Sequence, residues 1–583
     1  MIKNKNIIFQ LLPFFKPYIK LQCIGYMCIG ISTILSLLLP LYVQQVIENI
    51  LEVKWESIVK VVLFLLGALL FDTLSTYILN IAGQKVVRDI RLNLWEKLLR
   101  METKYFDETH SGSISSRLIN DTSIIVTFIS TDIPRLISGI CIILGSVSIM
   151  FSLDNVMTIV FLCLIPTIAF TIKPISSRMY LLSEEQQNIL ARLNSFFTEI
   201  ISQNRLIKAY NAEKFEKKRG TKHIDDFFEF SKKVAKLQAI LTPIMGGIMS
   251  VLIISVIGTG AYRVSTGQIT IGILVAFVLY FVEVTEPIQS IGNFIIEGEV
   301  IRGASKEIFA LLNNDKELNA KDDIMLSEQK QGNIIFENVS FGYNKSDLIL
   351  KDINFEIKKG EKVAIVGESG AGKTTLISLL ERFYRPDEGV IRYGGTDIES
   401  FPLYSWRSLF SYVSQDNAIV SGSIKDNILY GNDKENSEEE IDKVLGNSNL
   451  REFIQGLPNG INTVVGERGN LISGGEKQRI AIARALLRNT DYLLMDEAMA
   501  NLDSISEQMI QEALDILTIG KTSIIIAHKL KTIMNADRIL VIDEGGIIGN
   551  GTHENLIANN EFYQKLIRHQ FNGGGNYESC KSI

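Results

Sequence analysis

The sequence predicts a multidomain chain, with a six-helix α-helical transmembrane domain followed by an α/β P-loop nucleotide-binding domain. Three observations carry this. Six long apolar runs lie before residue 300, short apolar strands alternate with helical stretches after residue 333, and a glycine-rich loop sits at one strand-to-helix turn in that second part. With 583 residues the chain is too long for one hydrophobic core, so two or more domains are the default. Apolar residues make up 46% of it and the mean hydropathy is +0.19, concentrated in the first half. The net charge of −6 gives no global argument for nucleic acid, where a basic face would be expected, so no nucleic-acid partner is expected. Cys23, Cys28, Cys141 and Cys163 lie in apolar runs and Cys580 near the end; without CxxC or Cys/His spacing they argue against a zinc site or a disulfide framework.

The apolar runs cover 21–47, 57–82, 133–151, 156–175, 241–261 and 271–296, each close to or above the roughly 20 residues that cross a bilayer. The lysine-bearing start leads into an amphipathic stretch broken by Pro13 and Pro17, with no small-residue cleavage site, so no signal peptide is expected. Connections after the first, third and fifth runs are short. Those at 83–132 and 176–240 are long and charged, and Lys85, Arg88, Arg91, Lys97 and Arg100 place them on the cytoplasmic side, with the N-terminus. Val87, Ile90, Leu94, Leu98 and Met101 recur at helical spacing, which extends the membrane helices into the cytoplasm; solvated charged loops are the alternative.

Asp72 lies about 22 Å along the second run, and Glu283 about 18 Å along the sixth, with Glu286 one turn on. Carboxylates at such depth cost several kcal/mol unless they meet water, a partner or a substrate. They are candidates for lining a translocation cavity, and a structural hydrogen bond between helices stays open beside that reading. Tyr280, on the same side as Glu283, is the candidate aromatic contact for an amphipathic ligand.

Residues 1–312 are read as the membrane domain, 313–332 as a polar linker, 333–571 as the nucleotide-binding domain and 572–583 as a tail. The loop Gly367-Glu368-Ser369-Gly370-Ala371-Gly372-Lys373-Thr374-Thr375 follows the strand-type run 362–366 and precedes a helix face of Leu376, Leu379, Leu380 and Phe383. Its glycines let backbone N–H groups converge on a polyphosphate, Lys373 reaches the terminal phosphates, and the Thr374 hydroxyl can ligate Mg²⁺. The run Tyr492-Leu493-Leu494-Met495 puts Asp496 at a strand's carboxyl end, where it can serve the Mg²⁺ shell, and Glu497 next to it can accept the proton of an attacking water. Ser473-Gly474-Gly475-Glu476 opens a helix and offers a second anion site.

Together these motifs resemble the nucleotide-binding domain of ABC transporters, with 473–476 similar to the family's signature sequence. The resemblance implies that Tyr343 stacks on adenine, that Gln415 in Tyr-Val-Ser-Gln contacts Mg²⁺ and the membrane domain, that Asp503 communicates across a dimer, and that His528 is the switch histidine at the γ-phosphate. ATP and Mg²⁺ are the implied cofactors. Glu476 stands where the family usually has Gln, and Ile472 where it has Leu; a carboxylate there is expected to reduce nucleotide affinity at most.

Tyr105-Phe106-Asp107 with Gly112 and Ser116-Arg117-Leu118, Val464-Val465-Gly466-Glu467-Arg468-Gly469, Ser405-Trp406-Arg407 and Glu381-Arg382-Phe383-Tyr384 resemble half-transporter exporters, most of all homodimeric bacterial multidrug exporters. That implies a homodimer in a bacterial plasma membrane, each ATP lying between one chain's phosphate loop and the other's signature. It also implies short coupling helices near 111–123 and 206–213 that dock on the nucleotide domains. The expected function is ATP-driven export of amphipathic compounds. Alternatives are a bacteriocin-type peptide exporter and a non-transporting membrane sensor.

Overall fold

The computed structural model describes residues 13–48, 55–109, 111–313, 332–344, 347–432, 434–496, 504–527 and 529–571. The expected linker, apart from its end residues, and the expected tail lie outside them. The chain divides into two units, Met1–Leu99 with Ser111–Asn314, and Arg100–His110 with Asp315–Ile583.

The first unit is helical. Its principal helices are Ile19–Glu48, Trp55–Leu99, Ile133–Leu153, Asn155–Ser202, Glu213–Ser265 and Ile271–Asn313, of 30, 45, 21, 48, 53 and 43 residues. At 1.5 Å per residue the longest spans roughly 80 Å, more than twice a hydrocarbon core, so most of the two long charged connections are continuations of helices. Among the described residues, five helical stretches are long and apolar enough to cross a membrane. The fourth expected span, 156–175, lies within Asn155–Ser202, and the side chains of 163–177 are not among those described. Ile19–Glu48 pairs with Trp55–Leu99, Asn155–Ser202 with Glu213–Ser265, and Ile271–Asn313 with Ile133–Leu153.

One turn shows how the sequence fixes these pairings. Asp154 is the N-cap of Asn155–Ser202, accepting from Met157 N at 2.8 Å, while its second oxygen accepts from Arg263 Nη2 at 2.6 Å. The pair ties the turn after Ile133–Leu153 to the end of Glu213–Ser265. With its side chain 7% exposed, Asp154 would be an uncompensated buried charge without Arg263.

The second unit holds two sheets. Strands β1 (Ile334–Phe341), β2 (Leu350–Ile357), β4 (Glu388–Tyr393) and β5 (Thr396–Asp397) form an antiparallel sheet in the order β2-β1-β4-β5. The larger sheet runs β10-β9-β3-β8-β7-β6, from β3 (Lys362–Gly367), β6 (Phe410–Val413), β7 (Tyr492–Asp496), β8 (Thr522–Ile526), β9 (Arg538–Asp543) and β10 (Gly546–Gly551). All its pairs are parallel except β9 with β10. β7 and β8 are buried at every residue, which is why they read as unbroken apolar runs rather than alternating ones. Apolar clusters cover both faces: Leu376, Leu379 and Leu380 of the helix Lys373–Leu380 pack on one, Ala481, Ile482 and Leu514 on the other.

Candidate functional site

The parallel register brings the expected nucleotide residues to one edge of the larger sheet. Val413 lies opposite Met495, and Asp496 opposite Ile526, so β6, β7 and β8 end in step beside β3. The loop after β3, Asp496 at the end of β7, and Gln415 two residues past β6 all leave from that edge, where open α/β sheets bind ligands. The calls on Glu497, Asp503 and His528 lie outside the described residues.

The loop is built by close backbone approach. A Cβ on Gly367 would meet Ile542 O at 2.2 Å, and one on Gly372, whose φ is +98°, would meet Leu350 Cδ2 at 2.7 Å. Only glycine lets the chain arch here. Lys373 is 7% exposed and folds back over the arch, its Nζ donating to Gly367 O at 3.0 Å and to Glu368 O at 2.8 Å. Glu368, Ser369 and Gly370 are exposed on the loop's crest, whereas Ala371 and Thr375 are buried. A buried ammonium inside a glycine arch, at the start of an eight-residue helix, is a cradle for phosphate oxygens.

The candidate Mg²⁺ donors are all oxygens: the exposed Thr374 hydroxyl, the exposed Gln415 amide and the Asp496 carboxylate, 3% exposed. Among the described residues no group of three His, Cys, Asp or Glu side chains forms a metal site. One carboxylate with neutral oxygens fits a hard cation that takes its remaining ligands from phosphates and water. Burial raises the pKa of Tyr412, on β6, and the Asp496 carboxylate adds to it, so the phenol stays protonated beside that acid.

Tyr343 is half-exposed beyond β1. Its hydroxyl lies 3.4 Å from Thr375 Oγ1, and its ring packs edge-on against Phe341 and Tyr384 at 5.2 and 5.0 Å. Ser473 to Glu476 sit on a separate element, the start of the helix Gly474–Arg488, which packs on Ser504–Thr518 and β6. Ser473 and Gly474 are exposed and Gly475 is buried.

The helical unit has a cavity of its own, of about 770 Å³, between Ile19–Glu48, Trp55–Leu99, Ile133–Leu153 and Ile271–Asn313. Asp72, Glu283 and Glu286 all line it, with Arg135 as its cation and Ser32, Ser36 and Ser138 among its hydroxyls. The three carboxylates singled out in the sequence therefore share one chamber. Tyr280 does not: it is fully buried in the apolar packing and its hydroxyl donates to Leu37 O at 2.6 Å. The Leu37 carbonyl, on the helix Ile19–Glu48, and not a ligand, takes the phenol.

Two family models match the chain: the ABC transporter transmembrane region over 23–288 and the ABC transporter model over 350–500. A "Multidrug resistance ABC transporter ATP-binding and permease protein" of Lactococcus lactis subsp. cremoris is 35% identical over 560 residues, covering 96% of this chain and 95% of its own. The chain belongs to the ABC transporter family. A "Putative multidrug export ATP-binding/permease protein" of Staphylococcus aureus is 34% identical, over 95% of this chain and 98% of its own. The solved structure of a bacterial Atm1-family ABC exporter with ATP bound superposes with a TM-score of 0.80 at 26% identity, covering 95% of this chain and 99% of that one. The chain is thus an ABC transporter with membrane and ATP-binding regions fused, an ATP hydrolase coupled to transport.

Sequence reasoning misplaced one element of this ABC transporter. The short helix that groups with the nucleotide unit is Thr103–Glu108, whereas 111–123, the expected docking segment, belongs to the helical unit. Tyr105, Phe106 and Asp107 fall inside that helix, so the motif marked the segment although the reading set it a few residues late. Glu381 was also missed as an ionisable feature. It follows Lys373–Leu380, is 8% exposed, and is pushed up to about 7 by burial, against the pull of Arg407 and Arg488.

Proposed function

We propose that two copies of this chain form a homodimeric exporter of amphipathic compounds in a bacterial plasma membrane. Each copy crosses six times, with the N-terminus and nucleotide-binding domain cytoplasmic. The observation that carries this reading is the match over nearly the whole chain to relatives named as multidrug transporters, joined to a chamber with three carboxylates inside the membrane unit.

In each composite site Tyr343 stacks on the adenine of ATP, 367–375 hold the phosphates with Lys373 on the terminal ones, and Ser473 to Glu476 of the second copy close over them. Thr374, Gln415 and Asp496 would hold Mg²⁺, which would supply positive charge against the phosphates. Glu497 takes the proton of the attacking water, His528 contacts the γ-phosphate, and Asp503 connects the two sites. Closure of the two nucleotide domains turns the cavity from inward-facing to outward-facing, and hydrolysis resets it. The domain bounds 1–312, 313–332, 333–571 and 572–583 belong to this reading.

The test is ATPase activity of the purified protein in lipid across amphipathic drugs, lipids and peptides, paired with uptake into inside-out vesicles. Stimulation and uptake of amphipathic drugs are expected. Stimulation by peptides alone moves the substrate class to peptides, and ATP turnover without uptake of any class overturns the exporter reading.

A further inference from the structure

We propose that the face formed by Tyr77, Gln84, Lys85 and Arg88 on the helix Trp55–Leu99 binds the headgroup of an anionic phospholipid, whose acyl chains lie along the leucines that precede it. This rests on the proposed placement of 57–82 in the bilayer and adds a site outside the transport route.

One stripe of that helix changes character along its length. At about 100° per residue, Leu63, Leu66, Leu70 and Leu74 fall on one side, and Tyr77, Ile81, Gln84, Lys85 and Arg88 continue the same line. The leucines, Tyr77, Gln84, Lys85 and Arg88 are all exposed. Leu70 and Tyr77 lie roughly 160° and 140° round the helix from Asp72, so the stripe faces away from the cavity. Ala82, Val86, Val87 and Ile90, on the other side of the same stretch, are buried. The helix is thus held by one face and leaves the other free.

A groove of about 400 Å³ runs along the polar end of the stripe, lined by Tyr77, Asn80, Ile81, Gln84, Lys85 and Arg88. Every polar side chain in it can donate a hydrogen bond, two are cations, and among the described residues that line it none is a carboxylate. The adjoining acid, Asp89, accepts from the Tyr18 hydroxyl at 2.7 Å with one oxygen and faces Arg88 Nε at 3.7 Å with the other, while the Arg88 side chain stays 71% exposed. Lys85 Nζ lies 5.9 Å from the Tyr18 ring centroid, a contact that steers the ammonium without neutralising it. Lys16 and Lys20 flank Tyr18 in sequence and add to the positive charge.

The depth fits a lipid. Gln84, Lys85 and Arg88 lie within two turns of residue 82, where the apolar run ends, which is the level of the phosphates just outside the hydrocarbon. Lys85 and Arg88 are three residues apart, about 4.5 Å along the axis, so both reach one phosphate. A zwitterionic headgroup would bring a cation for which the groove offers no carboxylate. A net negative one brings none, and that difference sets the selectivity.

Native mass spectrometry of the full-length protein in mild detergent, titrated with phosphatidylglycerol or with phosphatidylcholine of the same acyl chains, reads the site directly. Phosphatidylglycerol should bind about tenfold tighter or more, as two basic side chains at a membrane surface supply. Lys85→Gln with Arg88→Gln should remove that preference and leave phosphatidylcholine binding within about twofold of wild type. Lys85→Arg with Arg88→Lys, which keeps both charges, should retain it, and so should Lys218→Gln, which removes a charge from the helix Glu213–Ser265. Equal affinity for the two lipids in wild type, or a preference that survives the double glutamine variant, overturns the site. Displacement of phosphatidylglycerol by free glycerol phosphate also overturns it, by making the ligand a soluble phosphate. A double glutamine variant that loses its dimer yet keeps the lipid preference overturns it by making this face an interface between copies. The lipid count needs neither ATP nor transport, so a failed exporter reading would leave the site standing, and loss of the site would leave that reading standing.

Discussion

Glu476 and Ser473 hold each other in a reciprocal cap. Ser473 N donates to the Glu476 carboxylate at 2.6 Å, and Glu476 N donates to Ser473 Oγ at 3.3 Å. The residue that departs from the usual signature is thus tied to the anion-binding end of its own helix. Its carboxylate takes the Ser473 N–H at the start of the helix proposed to close over phosphate.

The first prediction follows from that cap. Gln serves the same capping position as Glu, so Glu476→Gln should leave stability nearly unchanged while removing a negative charge from the phosphate's side. The KM for ATP should fall by a few-fold at low salt and converge on wild type at high salt, since exposed charges are screened over roughly 10 Å at 0.1 M. A KM that is unchanged at both salt concentrations would show that the carboxylate does not compete with nucleotide.

Glu497→Gln should keep ATP binding and slow turnover roughly 10²- to 10⁴-fold, because it preserves shape while removing the proton acceptor. Nucleotide binding measured beside steady-state hydrolysis separates the two effects. Turnover within about threefold of wild type would assign the base elsewhere.

A homodimer with two equivalent sites is the third prediction, since Lys373, Asp496, Glu497, Ser473 and His528 are all present in one chain. Native mass measurement of the purified chain should give twice its 65.3 kDa mass. Activity that appears only with a different half-transporter would overturn it.

What was legible in the sequence was what local chemistry dictates. The arch at 367–375 needs glycine where Ile542 O and Leu350 crowd the backbone, so the motif declared itself. Asp496 could be read because four buried apolar residues precede it on one strand. The depth of Asp72 and Glu283 in apolar runs marked them, and both line the cavity. Tyr280 failed because helical spacing gives a face but not the neighbour on it, and here the neighbour is a carbonyl from a helix 243 residues away in sequence. The burial of Glu381 is a product of tertiary packing that no local pattern encodes.

Glu381 gives a prediction with a definite sign. Its folded pKa of about 7 lies above the ordinary 4.5, so folding favours the neutral acid. The stability it contributes is fully present below about pH 4.5 and is lost as the pH rises through 7. At pH 8 the wild type then carries a burden of about 3 kcal/mol that an uncharged amide avoids. Glu381→Gln should raise the melting temperature of the nucleotide unit by several degrees at pH 8, with the two proteins converging towards pH 5. An equal shift at both pH values would assign the effect to packing instead.

The last prediction concerns the cavity. Glu283 shares it with Asp72 and Glu286, three carboxylates against the single cation Arg135 among the lining residues, so the lining favours positive charge. In such a chamber a cationic amphiphile meets a counter-ion that a neutral one of the same size does not, and the difference is amplified where water is scarce. Glu283→Gln keeps the side chain's size and hydrogen bonding, so it should reduce transport of cationic dyes several-fold while leaving neutral dyes and basal ATPase near wild type. If Glu283 served only to hold helices together, its loss would lower the amount of folded protein and the transport of every substrate alike. Cationic and neutral dyes compared in inside-out vesicles containing equal amounts of wild-type and variant protein decide between these, and equal loss for both dyes would remove Glu283 from substrate recognition.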